Sequence, residues 1–377
     1  MKRFDLPLLV ITLVLVCFGL VAMGSASWFV ASEEFGDPFH FLKRQAFAVA
    51  LGSSAMIVLA FTPYQRLMTL APALYGFSIA GLCAVWVPGI GHSANGATRW
   101  FGVAGVHFQP AEFAKVASLI CLATWLHRNR GAVHDPRVLG YAAAAAAPLL
   151  GLIILQPDFG STAIITGLCG LMVFLAGIRW SWFAAMAGAG VSALAVVLMA
   201  ESYRMARLVS FMSPCDNSST TGYQVCQSLV SIHHGGLLGQ GLGEGKGKLL
   251  FLPEPYNDFI ASVVGEELGL VGLLALITIY GLFAWRGIKI AEAAKEPFGV
   301  LLGTTFTVML IGQACLNLGV TMAVVPPKGL VLPFMSYGAT AMIVNLASVG
   351  VLLSISAGRE ETAPTTAAPA PGQAVPA

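Results

Sequence analysis

The chain has 377 residues, of which 57% are hydrophobic and only 10% charged, and its formal net charge is +2. A soluble domain carries roughly 25% charged residues, and the mean hydropathy of +0.79 takes the chain out of that class, so its length counts helices rather than domains. A charge so near balance, with no Lys/Arg run interleaved with aromatics, excludes nucleic-acid binding.

Apolar runs recur at about the 20 residues that cross a hydrocarbon core as a helix. Punctuated by Pro, Gly and polar residues, they predict helices at 7–30, 42–62, 67–87, 110–127, 138–155, 160–178, 182–200, 259–284, 298–320 and 331–356. The expected fold is therefore an all-α integral membrane protein with about ten transmembrane helices in a single polytopic domain, 1–360. The first run is longer than a signal-peptide core and has no small-residue cleavage site before Glu33 and Glu34, so it reads as a retained helix. With the N-terminus in the cytoplasm, eleven Lys and Arg residues fall inside and four in short outer loops, Lys43, Arg44, Arg99 and Lys328. That asymmetry sets the orientation, and an even helix number places the C-terminus inside too. A large extracytoplasmic loop, 201–258, precedes helix 8, and the Ala/Pro/Thr-rich stretch 361–377 reads as a disordered cytoplasmic tail.

Three outer segments, 88–110, 201–258 and 321–338, are too polar or too rich in Gly and Pro to be plain connectors. After the first, Glu112 and Lys115 open the fourth helix three residues apart on one face, where pairing lowers the cost of both charges. The second segment contains glycines at alternate positions from Gly239 to Gly247, with Lys246 and Lys248 nearby. Their spacing fits neither a Walker A loop nor a dinucleotide fingerprint. They read either as a flexible loop with solvated lysines or as amides and cations set to hold a pyrophosphate. Cys215 and Cys226 share this loop, so a disulfide is open to them, whereas the other five cysteines lie in apolar runs. His233 and His234 lack further ligands at metal spacing, and no metal site is read.

Asp258 ends the segment, where the eighth apolar run begins, a costly place for a carboxylate. It reads as a general base with a pKa raised by desolvation, or as an N-cap suited to the helix dipole. Glu266 and Glu267, two to three turns further on, call for a polar cavity or an Arg/Lys partner. In the third segment Pro326, Pro327, Lys328 and Gly329 lead to Pro333, Ser336, Tyr337 and Gly338. It reads as broken backbone lining a cavity or as a Pro-terminated helix end.

Together these stretches resemble the SEDS family (shape, elongation, division and sporulation), which contains FtsW, RodA and SpoVE. The resemblance rests on Asn95–Trp100, Gln109–Lys115, Gln156–Gly160, Tyr223-Gln, Gly239–Gly243, Phe251–Glu254 with Asp258-Phe-Ile, Gly265–Gly269, and Pro327-Lys-Gly with Pro333–Gly338, in order along nearly the whole chain. The Gly-Glu-Glu-Leu-Gly and Pro-Phe-Met-Ser-Tyr-Gly forms look more like the FtsW division branch, while Tyr256-Asn257 and Gly338-Ala-Thr340 depart from the family pattern. The resemblance implies an inner-membrane peptidoglycan glycosyltransferase at the division septum that polymerises lipid II, with Asp258 taking the proton of the acceptor 4-hydroxyl. Lys246, Lys248, Glu254, Asn257, Arg99, Lys328 and Ser336 are then candidate substrate contacts. The cofactor stays open, a divalent cation (Mg or Mn) being compatible with a pyrophosphate. Implied partners are lipid II, membrane lipid, a class B penicillin-binding transpeptidase and other division proteins. Competing readings are a lipid II flippase, the RodA-type elongation paralogue, and a scaffold that only recruits partners. No internal repeat of the transporter kind is visible.

Overall fold

The computed structural model describes residues 4–358, apart from 90, 95–96, 104–105, 200–213, 216–219, 248–251, 253 and 327–328. In chain order it forms α1 (Leu6–Phe35), α2 (His40–Phe61), α3 (Arg66–Ala84), β1 (Gly91–Ala94), β2 (Ala97–Val103), β3 (Val106–Phe108), α4 (Pro110–Arg128), a 3-10 turn (Arg130–Ala132), α5 (Pro136–Leu155), α6 (Phe159–Leu175), α7 (Trp180–Met199), α8 (Thr220–Gly235), α9 (Ile260–Glu292), α10 (Pro297–Thr321) and α11 (Ala339–Ala357). Among the described residues, six helices (α1, α2, α3, α9, α10 and α11) are long and apolar enough to cross a membrane, and 139–155 and 159–175 are shorter apolar helices. Bulky apolar side chains such as Phe47, Val58, Phe77, Val271 and Trp285 stay exposed along these helices, as lipid-facing surface requires.

Each of the ten expected runs overlaps a helix, with four differences. The run expected at 331–356 is helical only from Ala339, the stretch with Pro333 and Gly338 before it being non-helical. The segment 88–110 is not loop: β1, β2 and β3 form an antiparallel meander, so the fold is not purely α. The long loop contains α8, whose polar face carries Gln224, Ser228 and Ser231; Ser228 and Ser231 are buried against neighbouring protein. The eighth run is longer than expected, and it is broken at Gly269, where φ is 67°. A Cβ there would meet the amide nitrogen of Gly239 at 2.4 Å, so glycine is required both by the left-handed backbone and by the close approach. The expected tail at 361–377 lies outside the described residues.

The core is built where small residues let helices approach. α2 and α11 pack closely along their lengths, and at Gly350 a Cβ would stand 2.5 Å from the carbonyl oxygen of Met56. Such contacts give van der Waals packing where the hydrophobic effect offers little. Buried polar groups are bonded locally, as Thr305 and Thr307 are to carbonyls four residues back. The Glu112–Lys115 pair forms as the spacing requires, 2.7 Å apart and buried.

The bundle has two distinguishable ends. At one, Asp5 accepts from the amide of Leu8 and pairs with Arg286 near the far end of α9, while Ser356 at the end of α11 accepts from the amide of Asp5. At the other end lie the starts of α2, α4, α9 and α11 and the close of α10, joined by Gln45, Thr340 and Asn317. That second end holds Asp258.

Candidate active site

The segment after α10 does not simply end a helix. From Gly329 to Gly338 it descends into the bundle between α1, α2 and α9, with Phe334 fully buried beside Phe283, their ring centroids 5.8 Å apart. Non-helical backbone at such depth must have its polar groups satisfied by protein, and here α2, α9, the loop before α9 and the segment itself supply partners. The Tyr280 hydroxyl donates to the carbonyl of Pro333 at 2.5 Å. The buried Gln45 amide donates to the carbonyl of Ser336 at 3.0 Å and accepts from the amide of Gly338 at 3.2 Å. The Ser336 hydroxyl accepts from the amide of Leu332 at 2.8 Å, and the amide of Tyr337 donates to the carbonyl of Tyr256 at 2.9 Å.

Asp258 faces this segment. A Cβ placed on Gly329 would come 3.1 Å from Asp258 Oδ2, so the carboxylate lies tight against the backbone of this segment. Asp258 is half-buried and is positioned through its main chain. Asn317 Nδ2, on α10, donates both to the carbonyl of Asp258 at 2.8 Å and to the carbonyl of Leu330 at 2.6 Å. One buried amide thereby ties the acid to the descending segment. The helix N-cap position belongs to Phe259, with no side-chain cap, so the N-cap reading of Asp258 fails. Beneath it, Tyr256 stacks on Phe41 with centroids 4.5 Å apart. Burial, with Glu254 and Glu34 nearby, pushes the Tyr256 hydroxyl well above its ordinary value, so it stays a neutral phenol.

The glycine-rich loop is strapped to the break in α9. Glu266 accepts from the amides of Lys246 (2.8 Å) and Gly247 (3.0 and 3.1 Å), and the carbonyls of Glu266 and Glu267 accept from Gln240 and Gly241. Glu267 accepts from the hydroxyl of Ser25 at 2.6 Å. Main-chain amides therefore meet Glu266 and a serine meets Glu267 in the polar surroundings expected for the acidic pair. Ser228 joins α8 to Ser262 of α9 and to the carbonyl of Thr321, and Cys215 and Cys226 are joined in a disulfide.

Of the residues marked from sequence, Asp258, Asn257 and Glu254 are contiguous, with Asn257 Nδ2 donating to Glu254 at 3.0 Å. Glu254 and the Lys246 side chain are exposed. Arg99 on β2 donates to the carbonyls of Gln156 (3.1 Å) and Pro157 (2.5 Å), closing the end of α5. Ser336 is buried within its own turn. Lys248 and Lys328 lie outside the described residues. Gln45, Asn317 and Tyr280 were missed, although an amide in an apolar helix is itself a signal of a buried polar partner. Among the described residues no three His, Cys, Asp or Glu side chains are grouped to hold a metal ion.

A fold of many apolar helices, six of them among the described residues long enough to cross a membrane, is that of a polytopic membrane protein. The chain belongs to the cell cycle protein family of FtsW, RodA and SpoVE, whose model matches residues 6–361. It is 39% identical over 358 residues to a probable peptidoglycan glycosyltransferase FtsW of Geobacter metallireducens, covering 94% of this chain and 95% of that one. It is 34% identical over 354 residues to the stage V sporulation protein E of Bacillus subtilis, covering 93% and 96%. Its fold is similar to that of the rod shape determining protein RodA of Thermus thermophilus, at 30% identity and a TM-score of 0.69 over 96% of this chain and 99% of that one. It is also similar, at 30% identity and a TM-score of 0.78, to a chain solved in work on how a peptidoglycan synthase complex coordinates polymerization and crosslinking, covering 96% of this chain and 100% of that one.

Proposed function

We propose that this chain polymerises lipid II at the outer face of the inner membrane, with Asp258 as the general base. The chain is a peptidoglycan glycosyltransferase with a role in cell division, as its family and relatives indicate. In the proposed step the carboxylate of Asp258 takes the proton of the acceptor GlcNAc 4-hydroxyl as that oxygen attacks C1 of the donor MurNAc. The C1–O bond to the undecaprenyl pyrophosphate breaks, and the anomeric centre is inverted. Lys246, Lys248 and Lys328 are the cations assigned to the departing pyrophosphate, while Asn257 and Glu254 meet the sugar.

The observation that carries this reading is the mounting of Asp258: half-buried, not capping its helix, and held by its main chain beside Gly329. Orientation is supported by the excess of Lys and Arg in the loops at the other end and by a disulfide on the Asp258 side, as suits an oxidising compartment. A septal location and a class B penicillin-binding transpeptidase, bound through its membrane helix, complete the proposal. The test is purified protein given labelled lipid II, with and without that transpeptidase. Glycan strands from the native chain and none from Asp258→Asn are expected. Leaflet exchange of lipid II without polymer, or polymer undiminished in the variant, sinks the reading.

A further inference from the structure

At the end of the bundle opposite Asp258, a cavity of about 390 Å³ opens between α4, α6 and α10. Its walls divide by chemistry. Leu126, Leu175 and Leu301 line it on the bundle side, while His127, Arg130 and Lys295 bring three nitrogen-bearing side chains to it, and none of its lining residues is acidic. Two further observations point to a ligand. The Nδ1 atom of His127 is enclosed and has no hydrogen-bond partner, which is costly unless something absent here supplies one. Pro297, in the first turn of α10, is also part of the wall, so the positive end of a 25-residue helix faces the same space.

The height of the cavity identifies the ligand. Exposed Trp125, Tyr141, Trp180 and Trp182 stand on the ends of α4, α5 and α7 on this side, the aromatic belt that marks the headgroup layer. A basic pocket between helices at that level is built for a phosphate on a lipid. We propose that this cavity binds the headgroup phosphate of an anionic phospholipid, with one acyl chain along Leu175 and Leu301. The site is remote from Asp258 and is independent of the glycosyltransferase reading.

Native mass spectrometry of the full chain released from detergent tests this, with phosphatidylglycerol, phosphatidylcholine or inorganic phosphate added. Arg130 and Lys295 are exposed at the rim, so Arg130→Gln and Lys295→Gln leave the fold intact, and the thermal midpoint of each checks that. Phosphatidylglycerol adducts are expected to survive on the native chain. Their apparent affinity should fall about fivefold per cation removed, the equivalent of about 1 kcal/mol each, and Arg130→Lys should restore it. Equal retention of phosphatidylcholine, adducts undiminished in the double variant, or inorganic phosphate binding as tightly with the same dependence on both cations would each overturn the proposal.

Discussion

Two acidic residues at opposite ends of the bundle differ in the contacts that place them. Asp5 is fixed by its side chain: both carboxylate oxygens meet Arg286 at 2.8 Å, and one also accepts from the amide of Leu8. Asp258 is fixed by its carbonyl, through Asn317. A carboxylate whose lone pairs are taken by a guanidinium and an amide is a fastener. One whose main chain is anchored as well, as that of Asp258 is by Asn317, has its position set from the backbone. Burial alone does not single out Asp258, since Asp5 is the more buried of the two.

Breaking the contrast at Asp258 should have the largest effect. Asp258→Asn should lower polymerisation on the order of 10³-fold, within the range for losing a general base, with the thermal midpoint unmoved. Asn317→Asp keeps the shape but turns two donated hydrogens into lone pairs facing two carbonyls. Its kcat should fall roughly 100-fold with lipid II binding largely kept, and a normal kcat would remove Asn317 from the mounting. At the other end the signs reverse: Asp5→Ala removes the N-cap of α1 and the partner of the part-exposed Arg286, and stability should drop by about 1 kcal/mol. Polymerisation per folded molecule should be unchanged, read by thermal denaturation alongside activity.

The smallest effect belongs to a third carboxylate, Asp37, between α1 and α2. The hydrogen bond from Lys43, helped by the amide of Phe39, lowers its pKa from 3.8. A lowered folded-state pKa favours the native state above the unfolded pKa, and that contribution fades as the pH falls through the lowered folded-state value. The pair is exposed, so the difference in thermal midpoint between the native chain and Asp37→Asn should be small, present near neutral pH and gone once the pH falls through the lowered folded-state value.

Much of the bundle is legible in the sequence because lipid imposes one rule on every span, an apolar run of fixed length. The Glu112–Lys115 pair is legible for a similar reason, since helical spacing alone brings the two together. α8 and the strands are hidden because amphipathic or short elements carry no membrane-length signal, and Ser228 looks like a loop residue until α9 and α10 close over it. Asp258 stands out by its cost at a membrane boundary, but its mounting does not. Asn317 lies 59 residues away in sequence, and no local pattern announces a contact of that separation. Glu266 was legible as a residue needing a partner, yet main-chain amides have no sequence signature and so could not be foreseen.

The two hydrogens that Asn317 donates leave the same nitrogen, in one rigid plane. The gap between the turn bearing the acid and the segment opposite it is therefore gauged by a single amide on a third element, α10. Neither loop can widen that gap alone. A partner or lipid that shifted α10 would move both jaws together and preserve their spacing, whereas one that rotated the amide out of plane would part them.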